Sequence, residues 1–150
     1  MSNMIANIST DRISAIVEAQ RSYFRSGATR PVEFRLEQLK RLREAIVRHE
    51  QAIVDALYVD LHKSYEEAYL TEISIVLAEI DNFLKHLRGW ASLSKKRTPL
   101  KLMPSKSGII TEPLGVSLII APWNYPMQLL LNPLVGAIGA GCTAVLKPSP

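Results

Sequence analysis

Between Glu112 and Lys147 the sequence carries no charged side chain, and no other feature restricts the possible folds as much. A run of that length could cross a bilayer if it formed one helix. It does not read as one. Pro122, Pro126 and Pro133 interrupt it, and Asn124, Gln128 and Asn132 sit in its middle. No stretch free of these residues reaches the roughly 20 positions a span needs. A buried strand, helix, strand unit fits instead. Leu114 to Ile120 is β-branched and aliphatic without polar alternation, as expected of a parallel strand covered on both faces. A Pro-rich turn follows. Residues from about Met127 to Ala140 predict a helix ended by Gly139 and Gly141, and Thr143 to Leu146 is the next strand, entered by a right-handed crossover. This predicts an α/β fold that opens a doubly wound, Rossmann-like parallel sheet.

The residues before this unit read as helices. Apolar residues recur at helical spacing from Ile13, Ile16 and Val17, after the candidate caps Ser9, Thr10 and Asp11, and Gly27 is placed to stop that helix. Pro31 can open a second, with a stripe of Phe34, Leu39, Leu42 and Ile46, while Arg35, Lys40, Arg41 and Glu44 are expected mostly to face water. A third runs from about Gln51 to Leu61. In the fourth, Leu70, Ile73, Leu77, Ile80, Leu84 and Leu87 alternate steps of three and four, which predicts one continuous apolar seam. From Gly89 to Ser107 the pattern dissolves into Ser, Lys, Thr and Pro, as in a linker or an extended excursion.

With 47% hydrophobic and 21% charged residues, the chain has the composition of a soluble globular protein, not a disordered one. Its formal charge of +4 is spread over several helices, and the densest basic run, Lys95-Lys96-Arg97 with Lys101 and Lys106, has no interleaved aromatic on which a base could stack. No nucleic-acid partner is expected. The single cysteine, Cys142, allows no internal disulfide, which fits a reducing compartment, and residues 1 to 12 lack the apolar run of a secretory signal. A cytoplasmic location is therefore the expectation, with no metal site.

In open parallel sheets, ligands sit beyond the carboxyl ends of the strands. Here those ends carry Pro122-Trp123-Asn124 and Lys147-Pro148-Ser149, on the same side of the sheet. Gly136, Gly139 and Gly141 lie at the end of a helix, whereas phosphate-binding glycines belong at the start of one, so packing and capping explain them better. Lys147 ends an apolar strand, and its ammonium must be received by solvent or by a charged ligand. Asn124 carries an amide NH₂ that can donate without charge; the plain alternative is a turn asparagine bonding its own backbone.

Four segments, Glu112-Pro113-Leu114-Gly115-Val116, Pro122-Trp123-Asn124-Tyr125-Pro126, Gly136-Ala137-Ile138 and Val145-Leu146-Lys147-Pro148-Ser149, stand in an order and spacing that resemble the aldehyde dehydrogenase superfamily. Upstream, Arg30-Pro31 and Asp60-Leu61-His62-Lys63 resemble its class 3 branch. The resemblance implies the N-terminal third of an NAD- or NADP-dependent enzyme that oxidises aldehydes to carboxylic acids. A cysteine thiolate attacks the aldehyde, and the oxyanion of the resulting thiohemiacetal is held while hydride leaves for the nicotinamide. Asn124 occupies the position of the oxyanion donor. Lys147 matches the lysine that contacts the adenosine ribose or its phosphate. Ile120, Ala121, Pro122, Trp123 and Ser149 match the cofactor cleft, and Tyr125 and Leu129 match the wall of the substrate tunnel, with ordinary core packing the alternative for both. The organisation implied is a helical part over 1–98, a bridging hairpin over 99–112 that joins subunits of a homodimer, and the first β-α-β unit over 113–150. The catalytic cysteine and general base are expected beyond residue 150, so that the 150 residues alone would be inactive.

Two positions qualify this expectation. Cys142 lies at a helix-to-strand junction with no base near it in sequence, and reads as a buried small hydrophobe rather than the nucleophile. Pro150 stands where many relatives have a glutamate that accepts hydrogen bonds from the adenine ribose and repels a 2′-phosphate, so tolerance of NADP is expected. The competing readings are a stand-alone helical interaction module without catalysis and, below it, a membrane-associated protein that uses the apolar segment.

Overall fold

The computed structural model describes residues 10–149. Helix α1 runs Thr10–Arg25, with Asp11 in its first turn and Arg25 in its last, as the helix dipole favours. Gly27, at φ +77°, turns the chain out of it. The candidate cap Ser9 lies outside the described residues. Pro31 precedes α2 (Val32–Arg48) in extended conformation, and α3 (Glu50–Leu61) follows after a break at His49. His62, at φ 54°, is the left-handed residue that ends α3. Ser64 then caps the short α4 (Tyr65–Ala68) by accepting from the Glu67 amide at 3.2 Å. A five-residue π turn, Tyr69–Ile73, joins α4 to α5 (Ser74–Trp90).

Strands β1 (Ser94–Lys96) and β2 (Ser107–Ile109) pair antiparallel as an exposed hairpin, whose first strand lies ahead of the 99–112 span expected for it. Strand β3 (Val116–Ile120), helix α6 (Gln128–Ala140) and strand β4 (Thr143–Lys147) make the expected unit. β3 and β4 are parallel, in register from Val116 opposite Thr143 to Ile120 opposite Lys147. No helix among the described residues is long and apolar enough to cross a membrane.

The core joins the helical part to this unit. Leu36, Leu39 and Ile46 of α2, Val54 and Leu57 of α3, and Ile73, Val76, Ile80 and Leu87 pack with Val135 of α6. Helix α1 lies across β3 and β4, and its Gln20 carbonyl accepts from the Thr143 hydroxyl at 3.3 Å. One sheet face that the β-α-β unit alone would leave bare is thereby partly covered. Gly139 lets α6 approach α5 closely: a Cβ there would fall 2.2 Å from Cε1 of Phe83. Gly141, at φ +87°, caps α6 in the left-handed conformation. Gly139 therefore packs and Gly141 caps, as their position in the sequence implies, whereas a Cβ at Gly136 would meet no atom within 4 Å.

Three expectations need correction. The apolar seam holds from Ile73 onward but not before it: Leu70 is 64% exposed, because the wider π turn rotates it out of the stripe, and Glu72 is buried instead. Arg35 does not face water. It is 9% exposed, and its guanidinium donates to the carbonyls of Thr29 at 3.1 Å, Gly139 at 3.2 Å and Arg30. Burial lowers its pKa, and nearby Cys142 acts in the opposite direction. Cys142 itself is half-buried rather than buried.

Candidate active site

The candidate site is assembled where β3 and β4 end side by side. The Ala121 amide donates to the Lys147 carbonyl at 3.1 Å, one step past the last paired strand residues, so both chains leave the sheet at the same level. Ala121 is buried, whereas Ile120, Pro122, Trp123, Asn124 and Lys147 are exposed. Ser149 and Leu129 are half-buried, and Tyr125 lies at the edge of exposure. The structure thus sets Ile120 and Ala121 beside Lys147, with Pro122 to Tyr125 and Pro148-Ser149 continuing from the same ends of the two strands. Among the described residues, neither the Asn124 side chain nor the Lys147 ammonium makes a hydrogen bond or ion pair. The asparagine is therefore not spent on its own turn.

The loop that presents Asn124 is held from behind by two residues the sequence did not single out for a role. Lys63 is 6% exposed and Glu72 is fully buried, and their side chains pair at 2.5 Å. The Lys63 ammonium also donates to the backbone carbonyl of Asn124 at 3.0 Å and stands 4.0 Å from the centre of the Tyr125 ring. The other carboxylate oxygen of Glu72 accepts from the amides of Met127 at 2.9 Å and Gln128 at 3.2 Å. These amides open α6 and have no partner within the helix, and a negative charge there also complements the helix dipole. Desolvating two charges is expensive unless further hydrogen bonds satisfy them, and here both groups have several partners. Local backbone geometry makes the arrangement possible. The left-handed turn at His62 redirects the chain before Lys63, and Glu72, within the π turn, lies on the buried helix face it shares with Val76 and Ile80. Sequence pattern signals neither: Glu72 stands four and eight residues before the buried Val76 and Ile80, but an acidic residue beside the apolar series Leu70 to Leu87 reads as its solvated edge.

Cys142 lies at the other end of this unit. It follows α6, whose 13 residues rise about 20 Å from the Asn124 loop, and it precedes the start of β4 rather than its end. It cannot attack a carbonyl held at Asn124. Among the described residues no group of His, Cys, Asp and Glu could hold a metal ion.

The sequence model of the aldehyde dehydrogenase family matches residues 2–150. The chain belongs to this family. It is 50% identical over 129 residues to the 4,4'-diaponeurosporen-aldehyde dehydrogenase of Staphylococcus aureus, covering 86% of this chain and 28% of that protein. It is 44% identical over 138 residues to the dimeric NADP-preferring aldehyde dehydrogenase of Canis lupus familiaris, covering 92% of this chain and 30% of that protein. The solved substrate-bound state of Staphylococcus aureus AldH superposes with a TM-score of 0.89 at 47% identity, covering 91% of this chain and 30% of the other. Aldehyde dehydrogenase family 3 member A2 of Rattus norvegicus matches at 46% identity over 133 residues, covering 89% of this chain and 28% of that protein, which identifies the class 3 branch. The chain thus spans less than a third of the length of these relatives, and its fold is that of the N-terminal region of an aldehyde dehydrogenase.

Proposed function

We propose that this chain supplies the oxyanion donor and one side of the nucleotide cleft of an NAD- or NADP-dependent enzyme that oxidises aldehydes to carboxylic acids. The observation that carries the reading is the exposed, unengaged amide of Asn124, held on a fixed loop at the carboxyl ends of two parallel strands. A donor fixed before the reaction loses little to reorganisation when negative charge develops on the carbonyl oxygen, and this is the source of its effect on rate.

The nucleotide fits the residues present. Lys147 offers an exposed ammonium at the end of β4 to ribose hydroxyls or a phosphate, and Ile120 to Trp123 with Ser149 form the adjacent rim. When bound, the nicotinamide supplies the hydride acceptor. Tyr125 and Leu129 begin the wall that receives the aldehyde, with Tyr125 fixed by the Lys63 ammonium at its face. The nucleophilic cysteine and general base come from chain outside these residues, since Cys142 stands at the opposite end of α6. The hairpin of β1 and β2, near which Leu100, Leu102, Met103 and Ile110 are exposed, serves as the contact between two subunits.

The test uses the intact polypeptide, an aldehyde and either nucleotide, with reduction followed by near-ultraviolet absorbance. Lys147→Ala should raise KM for the nucleotide about tenfold, the worth of a charge-assisted hydrogen bond, with kcat within about threefold. Absence of aldehyde-dependent reduction, or a Lys147 variant with unchanged KM, would count against the reading.

A further inference from the structure

We propose that Lys63 and Glu72 are positioning residues for this oxidation, acting together as a buried clamp that sets where the Asn124 amide stands. The inference rests on the assignment of Asn124 as oxyanion donor and adds the device that aims it. The segment from Ala121 to Gln128 is fixed at three points. The sheet holds Ala121 through the Lys147 carbonyl at 3.1 Å. Lys63 holds the Asn124 carbonyl at 3.0 Å, the group of the asparagine's own peptide next to its side chain. Glu72 holds the amides of Met127 and Gln128. Only one of these anchors belongs to the sheet. The other two come from a single ion pair of 2.5 Å that no solvent reaches on the Glu72 side.

The pair is more than structural filling. A well-packed apolar pair of similar volume is often as stable as a buried ion pair, so stability alone does not account for charges at this place. Their directed hydrogen bonds do. A carboxylate at the first amides of α6 and an ammonium at the carbonyl of Asn124 fix the helix start and the loop relative to each other. Glu72 reaches that point from the π turn at Tyr69–Ile73, on the same buried helix face as Val76 and Ile80. A displacement of about 1 Å at a reacting centre can cost 10²-fold in rate, so a clamp of this kind governs kcat even though neither residue touches substrate.

The test is a double-mutant cycle in the intact enzyme between Glu72→Asp and Asn124→Ala. Glu72→Asp keeps the charge opposite Lys63 but withdraws the carboxylate by one methylene from the two amides. It should lower kcat at least tenfold and speed hydrogen exchange at Met127 and Gln128, while adding less than a further twofold loss in the Asn124→Ala background. If Glu72→Asp does not fold, the charge-neutral pair Lys63→Gln with Glu72→Gln takes its place in the same cycle, with the same result expected. Losses that multiply, or a folded Glu72 variant with unaltered kcat, would overturn the proposal. If Asn124→Ala alone leaves kcat untouched while exchange at Met127 and Gln128 still responds to Glu72→Asp, the oxyanion assignment has failed and the clamp is structural only.

Discussion

Replacing Arg35 by methionine should destabilise the fold by about 3 kcal/mol, far more than its place among exposed helix residues suggests. The guanidinium enters the last turn of α6, donating to the Gly139 carbonyl at 3.2 Å and to the Thr29 carbonyl at 3.1 Å, with Arg30 as a third acceptor. Gly139 and Thr29 are buried, so both carbonyls lose water as well as their donor. Each buried acceptor left alone costs about 1–3 kcal/mol. Against that stands relief from holding a guanidinium away from solvent, the burial that lowers its pKa. The methionine keeps most of the stem's packing, which leaves a net loss of about 3 kcal/mol. Urea denaturation of wild type, Arg35→Met and Arg41→Met would measure it. Arg41 is the control, an exposed residue paired with Glu37 at 3.0 Å on the same helix, and its loss should cost no more than about 0.5 kcal/mol. If Arg35→Met and Arg41→Met shift the midpoint equally, the guanidinium is not what joins α2 to α6.

Three further outcomes follow from the geometry. Gly139→Ala places a methyl 2.2 Å from Phe83 Cε1 and should cost about 1–3 kcal/mol by overpacking, whereas Gly136→Ala, with no atom within 4 Å of the added Cβ, should not destabilise; equal effects in thermal melting would contradict the α5–α6 contact. The hydrogen bond from Arg88 holds the Glu33 pKa below its ordinary 4.5, so the stability it lends is complete above that value and lost as the pH falls through the lowered one. The stability difference between wild type and Glu33→Gln should accordingly be constant near neutrality and shrink in acid, and a difference that grows in acid would reverse the sign of the argument. With Pro150 in place of the ribose-binding glutamate, kcat/KM for NADP should lie within about a hundredfold of that for NAD, and a larger preference for NAD would sink that inference.

The β-α-β unit was legible because its determinants are local. An uncharged aliphatic strand, prolines after it and glycines at the helix end predict elements whose observed bounds differ by a residue or two. Strand direction placed Pro122-Trp123-Asn124 and Lys147-Pro148-Ser149 at the same end of the sheet, whereas Ile120, Ala121 and Tyr125 entered through the family resemblance. What spacing could not reveal depends on backbone that departs from regular geometry or on partners far along the chain. Leu70 belongs to the seam by spacing and is turned out of it at the π turn, while Glu72, in helical register with Val76 and Ile80, is passed over because a carboxylate there reads as solvated. Arg35 sits among Glu33, Glu37 and Lys40, which face water, and its acceptor Gly139 lies 104 residues away. Lys63 carried a resemblance to the family but no hint that its charge is buried.

Asn124 is the residue on which the proposed oxidation most directly depends, and one substitution tests it. In the intact polypeptide, Asn124→Ala should reduce kcat for aldehyde oxidation by about 10²- to 10³-fold, the usual loss for one preorganised oxyanion donor, with nucleotide affinity and Tm nearly unchanged because the exposed side chain holds nothing else. A variant that oxidises aldehydes within a few fold of wild type would contradict the account.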